Sequence, residues 1–105
     1  MKNKIDKIAK ELRTALKKSV KDFKGLYVFG SQTSGKSTQN SDIDVVVLLG
    51  NYNLEKLDAV WDIVSFLNYK YGVVIDLQPM TKRELKRNYI FNNEVVNKGI
   101  FYAAA

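Results

Sequence analysis

The chain of 105 residues contains no cysteine, no histidine and a single proline. Without cysteine it has neither a disulfide framework nor a thiolate metal site. Without histidine the usual zinc chemistry is excluded, as are catalytic arrangements of the Ser-His-Asp and Cys-His kinds. What remains for metal chemistry is a hard cation held by oxygen ligands. No apolar run approaches the length of a membrane span. The lysine-rich N-terminus carries spaced apolar residues rather than the continuous block of a signal peptide, so a cytoplasmic protein with no membrane partner is expected.

What is present is the material of one globular domain, with 46% hydrophobic and 27% charged residues. The length suits one core and is short for two. We expect a single domain over residues 1–102, with Ala103, Ala104 and Ala105 as a possible appended tail left out of fold reasoning. The net charge of +6 is uneven: residues 1–24 hold nine Lys or Arg against three acids, and the remainder is balanced. A basic helix of this kind can contact nucleic acid. With no aromatic platform or groove motif interleaved with the lysines, it reads more simply as a solvated face.

Ile5, Ile8, Leu12, Leu16 and Val20 recur at spacings of three and four, which predicts an amphipathic helix ended by Gly25. Leu26 to Phe29 is a short β-prone run, and Asp42 to Leu49 reads as a strand whose apolar continuity implies cover on both faces. Leu54, Leu57, Trp61, Val64 and Leu67 mark a second helix between an Asn53 cap and a Gly72 stop. Val73 to Gln78 is a third strand ended by Pro79, and a strand, a crossover helix and a strand predict a parallel pair. Thr81 caps a short basic helix through Arg87, and Ile90 to Tyr102 reads as a last helical segment interrupted at Gly99. Trp61 and Tyr71 look like core; Tyr89, Phe91, Phe101 and Tyr102 fit either core or a partner interface.

Between the first two strands lies a loop, Gly30 to Ser41, composed almost wholly of Gly, Ser, Thr, Gln, Asn and Lys. Gly30 through Gly35, Lys36 and Ser37 satisfies the pattern G-x-x-x-x-G-K-[ST]. A P-loop must run on into a helix, and the few residues before Asp42 leave no room for one. Asp42 and Asp44, two apart at a strand start, project from one face and can share a cation. Placed beside five apolar residues, such a pair is costly unless neutralised. Asp76 is the lone charged residue of its strand. If the strands are neighbours it can serve as a third ligand or as the base for an attacking hydroxyl; otherwise it is an edge carboxylate facing water.

Gly30-Ser31, ten residues, then Asp42-Ile43-Asp44 followed by Val45 to Leu49 resembles the signature of the DNA polymerase beta-like nucleotidyltransferases. The small size resembles the minimal members that form the antitoxin half of HEPN/MNT toxin-antitoxin pairs. The resemblance implies an α/β (α+β) fold, a small mixed β-sheet flanked by helices. It implies that Gly30 and Ser31 hold the outer phosphates of ATP or another nucleoside triphosphate, and that Asp42 and Asp44 bind two Mg2+ ions. Asp76 would complete the metal site and help deprotonate the acceptor. The implied reaction moves AMP to a hydroxyl, a tyrosine of a partner HEPN toxin. The alternative is a non-catalytic module that neutralises its partner by occlusion. In one respect the chain departs from many such proteins: it reads Gln32-Thr33-Ser34-Gly35 and lacks their loop arginine.

Overall fold

The structure is a computed structural model that describes residues 3–30 and 42–104. Helix α1, Asn3–Ser19, buries Ile5, Ile8, Ala9, Leu12 and Leu16 along one stripe, as its spacing predicts. It stops earlier than expected. The Val20 amide donates to the Leu16 carbonyl at 2.8 Å, Val20 is buried, and strand β1, Phe23–Phe29, begins before Gly25 rather than after it. Gly25 therefore sits inside the strand, at the irregularity in its pairing with the next. Its φ is +146°, and a Cβ there would come within 2.6 Å of the Phe101 ring. Glycine is needed at this position because an aromatic ring crosses directly over the backbone.

Strand β2, Ile43–Leu49, is antiparallel to β1. Helix α2, Leu54–Tyr71, then crosses to strand β3, Ile75–Met80, which lies parallel to β2 as predicted. Asn53 caps α2 by accepting the Lys56 amide, and Gly72 closes it in the left-handed conformation. Pro79 falls within β3 instead of ending it. The strand lies at the edge of the sheet, where a residue without an N–H is tolerated. Thr81 and Glu84 form a reciprocal capping box on helix α3, Lys82–Arg87. Helix α4, Tyr89–Asn92, and a π-helical turn, Asn93–Asn97, follow.

The end of the chain departs from the helical expectation. Ile100–Ala103 is strand β4, antiparallel to β1, so the sheet order is β3-β2-β1-β4. Helical spacing among Ile90, Phe91, Val95 and Val96 holds only as far as Gly99; beyond it the open edge of β1 offers a ladder that a helix could not use. Ala103 pairs with Gly25, and the Ala104 amide donates to Lys24, so both belong to the folded unit.

The central strand β2 is buried on both sides, as its continuous apolar run implies. Ile43, Val45, Val47 and Leu49 pack under α1 and α2. Val46 and Leu48 pack with Leu85 and Val95 beneath the C-terminal helices. On α2 the buried stripe is Val60, Val64 and Leu67, while Leu54 and Trp61 lie exposed. Trp61 is thus not core, and the helix inserts its slimmer β-branched side instead. Tyr71 and Phe91 are half-buried against the core, Tyr102 is buried, and Tyr89 and Phe101 face solvent.

These assignments predict unequal costs in urea denaturation. Leu12→Ala, at a residue 1% exposed, should cost about 3 kcal/mol, and Trp61→Ala, at 43% exposure, below about 1 kcal/mol. Comparable losses would contradict the placement of Trp61.

Candidate active site

Three strands deliver the polar residues to one end of the sheet. Strand β1 leads into Gly30, β2 begins just after Asp42, and β3 begins one residue before Asp76. The ladders align them, with Phe29 opposite Asp44 and Asp44 opposite Asp76. The Ile43 amide donates to the Val74 carbonyl at 2.9 Å, which holds the starts of β2 and β3 together. Ile43, Val45, Ile75 and Leu77 point toward α1 and α2. By strand alternation, Asp44 and Asp76 point to the opposite face, the one covered farther along by α3 and α4. Asp44 is half-buried there, and Asp42 and Asp76 are exposed.

Gly30 has φ +75°, and a Cβ built on it would fall 2.4 Å from Asp44 Oδ2. A side chain here would be strained by the backbone conformation and would have to push the Asp44 carboxylate aside. The sequence marks Gly30 as part of a loop but carries no sign of this contact. Phe29 was also missed. It pairs opposite Asp44 and meets the Phe91 ring edge-on at 5.5 Å, giving the site an apolar wall that ties it to α4. Ser31 and the rest of the polar loop, including Lys36, lie outside the described residues.

The electrostatics of Asp44 are one-sided. Burial pushes its pKa up, and the charges of Asp76 and then Asp42 push it in the same direction. Two neighbouring acids, one just ahead of the same strand and one on the adjacent strand, thus act on Asp44. Hard oxygen donors grouped so that ionising Asp44 is costly suit a divalent cation of the magnesium kind, which would reverse the sign of the interaction. Among the described residues no three acidic side chains lie at metal-holding distances. Asp76 keeps both of its readings in part: it is exposed on an edge strand, yet in register with Asp44.

This arrangement coincides with a known family. The nucleotidyltransferase domain profile matches residues 5–98. The chain belongs to the nucleotidyltransferase domain family. Two proteins of Methanocaldococcus jannaschii (strain ATCC 43067), provisionally named protein adenylyltransferases, are similar along most of their length. One is 30% identical over 84 residues, covering 77% of this chain and 82% of the relative. The other is 35% identical over 98 residues, covering 90% and 93%. Among solved structures, a toxin-antitoxin complex with AMP-PNP superposes with a TM-score of 0.64 at 23% identity, over 89% of this chain and 70% of that one. A variant of the toxin-antitoxin pair MntA-HpeT gives 0.60 at 27% identity, over 97% and 72%. The likeness confirms the mixed sheet with flanking helices. No helix among the described residues is long and apolar enough to cross a membrane.

Because the pKa of Asp44 is raised in the folded nucleotidyltransferase, the folded chain binds that proton more tightly than the unfolded chain does. The resulting stabilisation is present below the ordinary carboxylate pKa and fades as pH rises through the raised value. In EDTA at neutral pH, Asp44→Asn should therefore raise the urea midpoint, with the gain shrinking toward about pH 4. A lower midpoint at neutral pH would show that Asp44 is not held under repulsion.

Proposed function

We propose that this nucleotidyltransferase moves AMP from ATP to a hydroxyl of a partner protein, a tyrosine of a HEPN-type toxin. Asp42, Asp44 and Asp76 serve as its working carboxylates and magnesium as its metal. The observation that carries the reading is the register that sets Asp44 opposite Asp76, with Gly30 pressed against Asp44. Relatives named for protein adenylylation support a protein acceptor. The complex of a structural relative with AMP-PNP supports an ATP-like donor. Its toxin-antitoxin setting supports the class of partner.

In this reading Asp42 and Asp44 hold two magnesium ions, and Asp76 either shares one of them or stands as the base. When bound, the ions supply positive charge to the attacking and leaving oxygens of an in-line displacement. The chain does the rest by position. Gly30 presents backbone without a side chain, so the outer phosphates come close, and Ser31 offers its amide and hydroxyl to them. Where it stands as the base, Asp76 accepts the proton of the acceptor hydroxyl. The new bond joins the acceptor oxygen to the α-phosphorus, the bond from that phosphorus to the bridging oxygen breaks, and pyrophosphate leaves with the electron pair.

The test is to incubate the protein with magnesium, ATP labelled at the α-phosphate and the product of the neighbouring gene. The partner should become labelled on tyrosine, and Asp42→Ala or Asp44→Ala should reduce the label to background. Gly30→Ala should cut it by roughly tenfold or more, because its Cβ displaces the Asp44 carboxylate. An unlabelled partner with folded proteins would overturn the reading. Neutralisation by occlusion, which the missing loop arginine favours, predicts instead that an Asp42→Ala/Asp44→Ala variant still protects cells from the toxin.

A further inference from the structure

The positive charge concentrated on the first helix takes no part in the carboxylate site, and the structure gives it a shape that periodicity could not. Arg13, Thr14, Lys17 and Lys18 form one wall of an open cleft of about 580 Å3, and Ala103 and Ala104 at the end of β4 form the other. The helical residues fall at i, i+1, i+4 and i+5, one side of α1 over little more than a turn. No acid is among the described residues lining the cleft. Arg13 is half-buried, while Lys17 and Lys18 are exposed. The carboxylate that feels Arg13 is Asp6. It is already engaged by the Tyr102 hydroxyl at 2.8 Å and by Lys10 at 3.0 Å, and among the described residues Arg13, Lys17 and Lys18 form no ion pair.

The cleft is remote from the aspartates. Ala103 pairs with Gly25 near the start of β1, whereas Asp44 pairs with Phe29 at its end. Four strand residues separate them, about 13 Å along the sheet. The helix wall also belongs to α1, which packs on the face of β2 opposite to Asp44. A triphosphate held at Asp44 cannot be what fills this cleft.

We propose that the cleft between α1 and β4 is a second anion site, built for chained phosphate groups carried by a nucleic acid backbone or by free polyphosphate. Three cations in one cleft exceed what a lone phosphate of charge about −2 would neutralise. No aromatic side chain lines the cleft, so bases have nothing there to stack on, and recognition is of backbone charge and indifferent to sequence.

The experiment uses the full chain, with fluorescence anisotropy of labelled single-stranded RNA and calorimetry with inorganic tripolyphosphate, both across a salt series. Arg13→Gln/Lys17→Gln should lower the slope of log K against log salt for RNA by about 1.4, since each phosphate contact to a single strand contributes about 0.7. Lys4→Gln/Lys7→Gln removes the same charge from exposed positions of α1 outside the cleft and should leave the slope nearly unchanged. Circular dichroism confirms that both variants fold. RNA binding displaced by tripolyphosphate identifies nucleic acid as the carrier, and tripolyphosphate binding alone identifies the free anion; both support the site. Binding of neither ligand, or equal weakening by the two variants, overturns it.

Discussion

Two carboxylates placed side by side in neighbouring strands organise this molecule. Asp44 and Asp76 occupy equivalent positions of a parallel ladder and project from the same face, and Asp44 is half withdrawn from water. Left alone, that pairing opposes folding, since burial and like charge both raise the cost of ionising Asp44. The surrounding core holds it in place regardless. Ile43 and Val45 on one side of Asp44 and Val46 beyond it are buried almost completely, so the strand cannot shift to separate the acids without exposing its apolar residues. The fold thus keeps a repulsive pair in register, and this is the pair proposed above as the receptor for positive charge.

The remaining features of the site follow from this constraint. Gly30 adopts a left-handed backbone conformation beside the Asp44 carboxylate, so a side chain there would strain the backbone and shift that carboxylate. Phe29 supplies the covering wall through Phe91, linking the site to the short helices that close the second face of the sheet. Those helices are anchored by the Thr81–Glu84 capping box, and Glu84 also accepts the Tyr52 hydroxyl, which joins α3 to the turn after β2. Membership of the nucleotidyltransferase domain family accounts for the order of these elements. The positive φ of Gly30 explains why glycine is favoured before the polar loop.

Much of this was legible in the sequence, for reasons that differ by element. The stripe of α1, the caps of α2 and α3 and the doubly covered β2 are local patterns that the tertiary structure does not override. The strand at Ile100–Ala103 was not legible, because its pairing depends on the free edge of β1 some seventy residues earlier. Trp61 misled for a related reason: the helix buried Val60, Val64 and Leu67, and which side turns inward is decided by the partner surface. At the site, the distance from Gly30-Ser31 to Asp42 and Asp44 was readable as spacing. The register of Asp76 with Asp44, the contact to Gly30 and the wall at Phe29 arise only once strands are laid side by side.

The claim at the centre of this account is that Asp44 and Asp76 act together to receive a metal-bound nucleotide. The most direct measurement is the affinity for Mn2+, read by its electron paramagnetic resonance in the presence of a non-hydrolysable ATP analogue. The account predicts that Asp44→Asn and Asp76→Asn each weaken Mn2+ binding by roughly tenfold or more while both variants remain folded. Unchanged Mn2+ affinity in either folded variant would contradict it.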